Sequence, residues 1–168
     1  MVKIFWSYSR RDNSPPAMRV SRLKDAFVVA LGQTIGADCE AFFDTESINW
    51  GAVWRNTIDE NIANCDGLVA TLSPSFFNSR YCIYELHAAL SHNKRIYPVH
   101  FRACKRFMSV FKEDGVENEM NIQLNQSSKR VKDFQFADFT KLRNKPIEQE
   151  EVQNFIDDLA EQVGQNFT

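Results

Sequence analysis

Glycine is scarce in this chain, with six residues in 168. A dinucleotide-binding turn needs G-x-G-x-x-G directly after the first strand, and a phosphate-cradling loop needs G-x-x-x-x-G-K-[ST]; no glycines are so placed. A layered serine hydrolase needs G-x-S-x-G after a strand, but the third apolar run leads into "TLSPSFF" without glycine. Ser73 and Ser75 therefore read as capping and turn residues. Cysteine is also sparse: Cys39, Cys65, Cys82 and Cys104 form no C-x-x-C pair, and His87, His92 and His100 do not complete a ligand set at zinc spacing. No metal site is expected, and the thiols read as reduced and mostly buried. An excess of one charge is missing too, since 20 Lys and Arg face 22 Asp and Glu for a net −2, which offers no general attraction for nucleic acid. No apolar run approaches the length of a membrane span, so no membrane partner is expected.

What is present suits an ordinary globular domain. The length of 168 residues fits one domain with a real core, and 43% apolar with 25% charged residues is the usual balance of a soluble protein. The opening "MVKIFWSYSRRD" sets an apolar strand ahead of the charges. That is the reverse of a secretory leader, so the cytoplasm is the expected location.

Short β-like runs alternate with amphipathic helical runs, the pattern of a parallel sheet covered by helices on both faces. Strands are expected at 2–7, 39–44, 67–73, 95–101 and 133–140. The first helix is expected to open at Ser14 and Pro15, to carry Val20, Leu23, Phe27 and Leu31 on one face, and to end near Gly32 to Gly36. Further helices are expected with Trp54, Ile58, Ile62 and Cys65 on one face, through "NSRYCIYELHAAL" at 78–90, and from Pro146 with Val152, Phe155, Ile156, Leu159 and Val163 inward. Pro98 inside the fourth strand removes a ladder donor. Residues 102–132 are polar apart from "FMSVF" and predict only a short helix and loops. The whole reads as one α/β domain over 1–168, a flavodoxin-like three-layer fold with a central five-stranded parallel sheet. In such a sheet ligands bind at the carboxyl ends of the strands where the strand order reverses, and the loop Ser7 to Asn13 is the natural place for a site.

Four stretches, "KIFWSYSRRD", "FFDTESINWGAVWRNTIDENI", "CDGLVATLSPSFFNSRYCIYEL" and "KRIYPVHF", follow one another along residues 3–101. In that order they resemble the successive boxes of the Toll/interleukin-1 receptor (TIR) domain family, in its bacterial branch. The resemblance implies one of two functions. Many TIR domains are non-catalytic scaffolds that signal by homotypic assembly; others cleave NAD+ between nicotinamide and ribose, with a glutamate in the helix after the third strand. In the enzymes that glutamate belongs to a W-C-x-x-E-L box, matched here by Tyr81, Cys82, Glu85 and Leu86, with a tyrosine where tryptophan is common. The favoured expectation is an NAD+ nucleosidase acting in bacterial, anti-phage defence and activated by self-association. A flavodoxin-like small-molecule sensor is a weaker third reading.

The chemistry suits a single carboxylate. Nicotinamide in NAD+ is already a cationic leaving group, so the bond to ribose breaks without the second carboxyl group an ordinary glycoside needs. Glu85 can then bind ribose hydroxyls and stabilise oxocarbenium-like charge. NAD+ enters as substrate, and no cofactor is expected. Tyr81, one helical turn earlier, is placed to pack on a ring or sugar face. The candidate substrate-binding residues are Ser7, Tyr8, Ser9, Arg10 and Arg11 on the crevice loop, Phe43 and Asp44 at the end of the second strand, and Tyr81. Each has a plainer reading: a solvent-exposed or ion-paired helical Glu85, solvated loop arginines, a core Phe43. Cys82 reads as packing, not as a nucleophile. Trp50 and Gly51 belong to a loop that the family uses in assembly, so self-association is expected there, with a sensor domain or partner protein upstream of it, whereas Trp54 on the apolar helix face reads as core.

Overall fold

The computed structural model describes residues 1–43, 53–104 and 134–168, together with Gln123, Gln126, Ser127 and Arg130. Among the described residues five strands form one sheet: β1 (Val2–Ser7), β2 (Cys39–Phe42), β3 (Gly67–Leu72), β4 (Arg95–His100) and β5 (Ala137–Asp138). Their order is β2-β1-β3-β4-β5, and each neighbouring pair is parallel. The helices are α1 (Arg19–Ile35), α2 (Val53–Ala63), the single turn α3 (Pro74–Phe77), α4 (Arg80–Ser91) and α5 (Glu150–Gly164). The α/β class, the parallel sheet and the helices on both faces are as expected from the sequence. No described helix is long and apolar enough to cross a membrane.

The layering follows from strand alternation. Along β1, Ile4 and Trp6 point to one face while Phe5 and Ser7 point to the other. The Ile4 face packs on α1 and α5 through Leu23, Phe27, Ile156 and Leu159. The Phe5 face packs on α2, α3 and α4 through Ile58, Ile62, Phe76 and Leu86. The chain leaves β1 toward β2 on one side and returns to β3 on the other. Right-handed crossovers therefore send α1 and α2 to opposite faces and open the topological switch between β1 and β3.

Four boundaries differ from expectation, each for a local reason. Helix α1 starts at Arg19 and not at Pro15; Pro16 disfavours the helical region for the residue before it. Asn13 replaces the expected serine cap, because its Oδ1 accepts from the Ser21 amide at 2.9 Å. The end of α1 is as predicted, with Gly36 in the left-handed region at φ 62°. Cys65 lies past the end of α2 but is still buried in the same cluster. The last strand shrinks to two residues because Asp138 Oδ1 accepts from the Thr140 amide at 2.9 Å and closes a turn. Pro146 sits in a turn ahead of α5, which begins instead at Glu150 after an extended Gln149. Glu150 and Glu151 then meet the positive end of the helix. Pro98 lies within β4, opposite Ala70 of β3, while β5 pairs only with Val99 and His100. Apart from Gln123, Gln126, Ser127 and Arg130 in helical geometry, the segment from 105 to 133 lies outside the described residues.

Candidate functional site

The carboxyl ends of β1 and β3 carry a set of buried polar groups. Ser7, the last residue of β1, points toward α4, and its Oγ donates to Oε2 of Glu85. Glu85 is only 7% exposed, so the plainer reading of a solvent-exposed helical glutamate does not hold. A buried carboxylate needs donors, and the strand that ends beneath α4 supplies one from 78 residues away. The helix is placed by its own cap, since Ser79 Oγ accepts from the Cys82 amide at 3.3 Å.

Tyr8 follows Ser7 and is half-buried, with its ring 4.5 Å from that of Phe43. Lys24 Nζ stands 4.6 Å from the centre of the same Phe43 ring. Burial pushes the Tyr8 hydroxyl above its ordinary value; Asn13 and Arg10 pull it back down, and the negative charge of Glu85 raises it further. Ser9 is buried and starts a single turn of 3-10 helix, Arg10–Asn13. Arg10 and Arg11 are exposed.

A second carboxylate lies alongside. Asp12 is 5% exposed, accepts from Ser73 Oγ, and accepts from Arg102 Nε at 3.1 Å. Ser73 does double duty, since its Oγ also accepts from the Phe76 amide at 3.0 Å and caps α3. The capping role read from "SPS" therefore holds, and Pro74 opens a helical turn.

Tyr81, one helical turn before Glu85, lies at the seam between α4 and α2. Its ring packs edge-on against Trp54 of α2 at 4.7 Å, and Trp54 in turn meets Tyr84 at 5.0 Å. The core placement of Trp54 agrees with the sequence reading. Cys82 is buried, and burial, reinforced by the charge of Glu85, raises its thiol far above the usual range, which removes thiolate character. Of the candidates, the fold joins Ser7 to Glu85 and Tyr8 to Phe43, leaves Arg10 and Arg11 exposed and packs Tyr81 against α2. Asp44, Trp50 and Gly51 lie outside the described residues. Ser73 and Arg102 were not read as a pair with Asp12; the only local signals were an acid in the crevice loop and a serine before a proline.

A family model for the TIR domain matches residues 4–154. The chain belongs to the TIR domain family. No curated protein matches it. Among solved structures, this TIR domain is similar to the TIR domains in the structure of the activated Roq1 resistosome directly recognizing the pathogen effector XopQ, with a TM-score of 0.59, 15% identity and 100% of each chain covered. At that identity the likeness shows the fold. In this TIR domain Glu85 and Ser7 sit at the β1/β3 switch, while a concavity of about 450 Å³ lined by Val29, Gly32, Gly36 and Cys39 lies where α1 ends and β2 begins. Position in the topology argues for the first as the candidate site.

Proposed function

We propose that this TIR domain cleaves NAD+ at the nicotinamide–ribose bond, with Glu85 as the catalytic carboxylate. The observation that carries the reading is a buried glutamate at the switch point, held by the hydroxyl of Ser7. Glu85 stabilises positive charge on the ribose as nicotinamide leaves; burial strengthens that interaction, and Ser7 fixes the rotamer in advance. Tyr8, whose ring packs on Phe43, and Arg10 belong to the proposed substrate surface. Ser9, Arg11, Asp44 and Tyr81 belong to the same proposed substrate surface. The biological role that fits is a cytoplasmic effector in bacterial, anti-phage defence, switched on by self-association through the loop holding Trp50 and Gly51.

The test is nicotinamide release by the wild type and by Glu85→Gln, with thermal melting beside it. Glutamine keeps the shape and an acceptor for Ser7, so the variant should stay folded while activity falls by roughly 10²–10³-fold, the loss typical of an electrostatic stabiliser. The wild-type rate per chain should rise with protein concentration, and Trp50→Ala should flatten that rise. Undiminished release by folded Glu85→Gln removes this residue from the reaction. The same burial favours a second reading, a scaffold that signals only by homotypic assembly, because 7% exposure leaves little of Glu85 open to a ligand in a single chain. A folded wild type that releases no nicotinamide at any concentration supports the scaffold.

A further inference from the structure

Beside the Glu85 site lies a group of cations that the proposed cleavage does not use. Arg102 follows β4, Arg143 follows β5, and Arg19 is the first residue of α1. All three stand at the carboxyl end of the sheet, around Asp12. Burial disfavours the charge of Arg143, as do Arg102 and Arg19, while Asp12 favours it. Asp12 is already committed, to the Ser73 hydroxyl and to Nε of Arg102.

The arginines are left short of acceptors. Nε and Nη1 of Arg143 are buried and have no hydrogen-bond partner among the described residues, although a guanidinium carries five donors in a fixed fork. Arg102 keeps 42% of its side chain exposed, so the group is open to solvent on one side. Arg19 makes no hydrogen bond or ion pair to a described residue. Helix α1 begins there with no acid in its first turn and no side-chain cap from Met18, so its positive end adds to the same field. Three guanidiniums against one carboxylate leave a surplus of two positive charges, with buried donors that a fold would ordinarily satisfy.

We propose that Arg19, Arg102 and Arg143 form a binding site for a phosphoryl group, supplied by a diphosphate or a phosphorylated small molecule. A phosphate brings several acceptor oxygens and the negative charge the cluster lacks, and it matches the guanidinium fork in geometry. A carboxylate ligand would satisfy one fork but not two. The site does not rest on NAD+ cleavage, because its donors are unmet whether or not Glu85 is catalytic.

The experiment is isothermal titration of the whole domain with inorganic pyrophosphate, on the wild type, Arg143→Gln and Arg19→Gln, with thermal melting of each. Wild type should bind, and each variant should bind about tenfold more weakly, equivalent to ~1.4 kcal/mol. Without ligand, Arg143→Gln should melt no lower than wild type, since it removes a buried group with unmade bonds. Arg19→Gln is the second variant, half-buried and without a described partner, should the first fail to fold. Absence of binding by wild type at millimolar pyrophosphate, or binding by both folded variants as tight as that of wild type, overturns the proposal. A further arm separates the two sources of phosphate. Competitive inhibition of nicotinamide release by pyrophosphate assigns the site to the diphosphate of the substrate, and binding without inhibition assigns it to a separate ligand. Should wild type release no nicotinamide, the titration still decides the phosphate site while the cleavage reading falls alone.

Discussion

The two faces of the sheet solve different problems. Against α1 and α5 the interior is almost wholly apolar; its notable polar contact is Trp6 Nε1 donating to Thr71 Oγ1 at 2.9 Å. Gly164 lets the helices approach, because a Cβ there would stand 3.0 Å from Thr34 Cγ2. Against α2, α3 and α4 the packing is mixed, with Glu85 on Ser7, Tyr84 on Asp59 and buried Cys82 and Cys65 among the aliphatic residues. A buried polar group costs free energy unless it is met, so the second face gives up stability that the first supplies. The difference shows that one side of the sheet holds the domain together while the other holds charged groups in place.

Substitutions on the two faces should therefore separate stability from activity. The largest effect is expected for Phe27→Ala, which empties a fully buried site whose ring lies 5.3 Å from Trp6. It should lower stability by ~3–5 kcal/mol, read by chemical denaturation, with activity per folded molecule intact. Ser7→Ala should come next, at ~1.5–3 kcal/mol, since it strips a hydroxyl donor from a buried carboxylate. Unlike Phe27→Ala it should also slow nicotinamide release by folded protein; loss of stability alone would make the faces equivalent.

Smaller effects sharpen the contrast within the mixed face. Tyr81→Phe should behave as wild type, whereas Tyr81→Ala should lose the edge-on contact with Trp54 and ~0.5–1.5 kcal/mol beyond the buried area. A purely catalytic Tyr81 would leave the denaturation midpoint unmoved. The smallest change is expected for Tyr84→Phe, which removes a 2.9 Å bond to Asp59 Oδ2 at ~0.5–1 kcal/mol near neutral pH. Its signature lies in alkali. Burial, reinforced by the hydrogen bond and charge of Asp59, raises the Tyr84 hydroxyl to about 12. The folded protein keeps that proton longer than the unfolded chain, so the contribution is whole below pH about 10 and is lost as the pH rises through about 12. Wild type should lose more stability than Tyr84→Phe across that window; parallel curves would place the hydroxyl in water.

Much of this architecture was legible residue by residue. The run "GLVATL" is β3 and is buried throughout, and the three-and-four spacing of Val152, Ile156, Leu159 and Val163 is the inner face of α5, because a backbone's period is a local property that side chains must follow. Gly36 marked the end of α1 for an equally local reason, a left-handed φ. Glu85 was singled out by its box, but its burial was not legible. Its partner Ser7 lies 78 residues earlier, and only the crossing from β2 over β1 to β3 brings β1 beneath α4. Asp12, Ser73, Arg102 and Arg143 are spread over four loops, and nothing in their neighbours in sequence links them. Which elements form is set by local periodicity and capping; which charges meet is set by strand order, since that alone decides whose loops share the carboxyl end of the sheet.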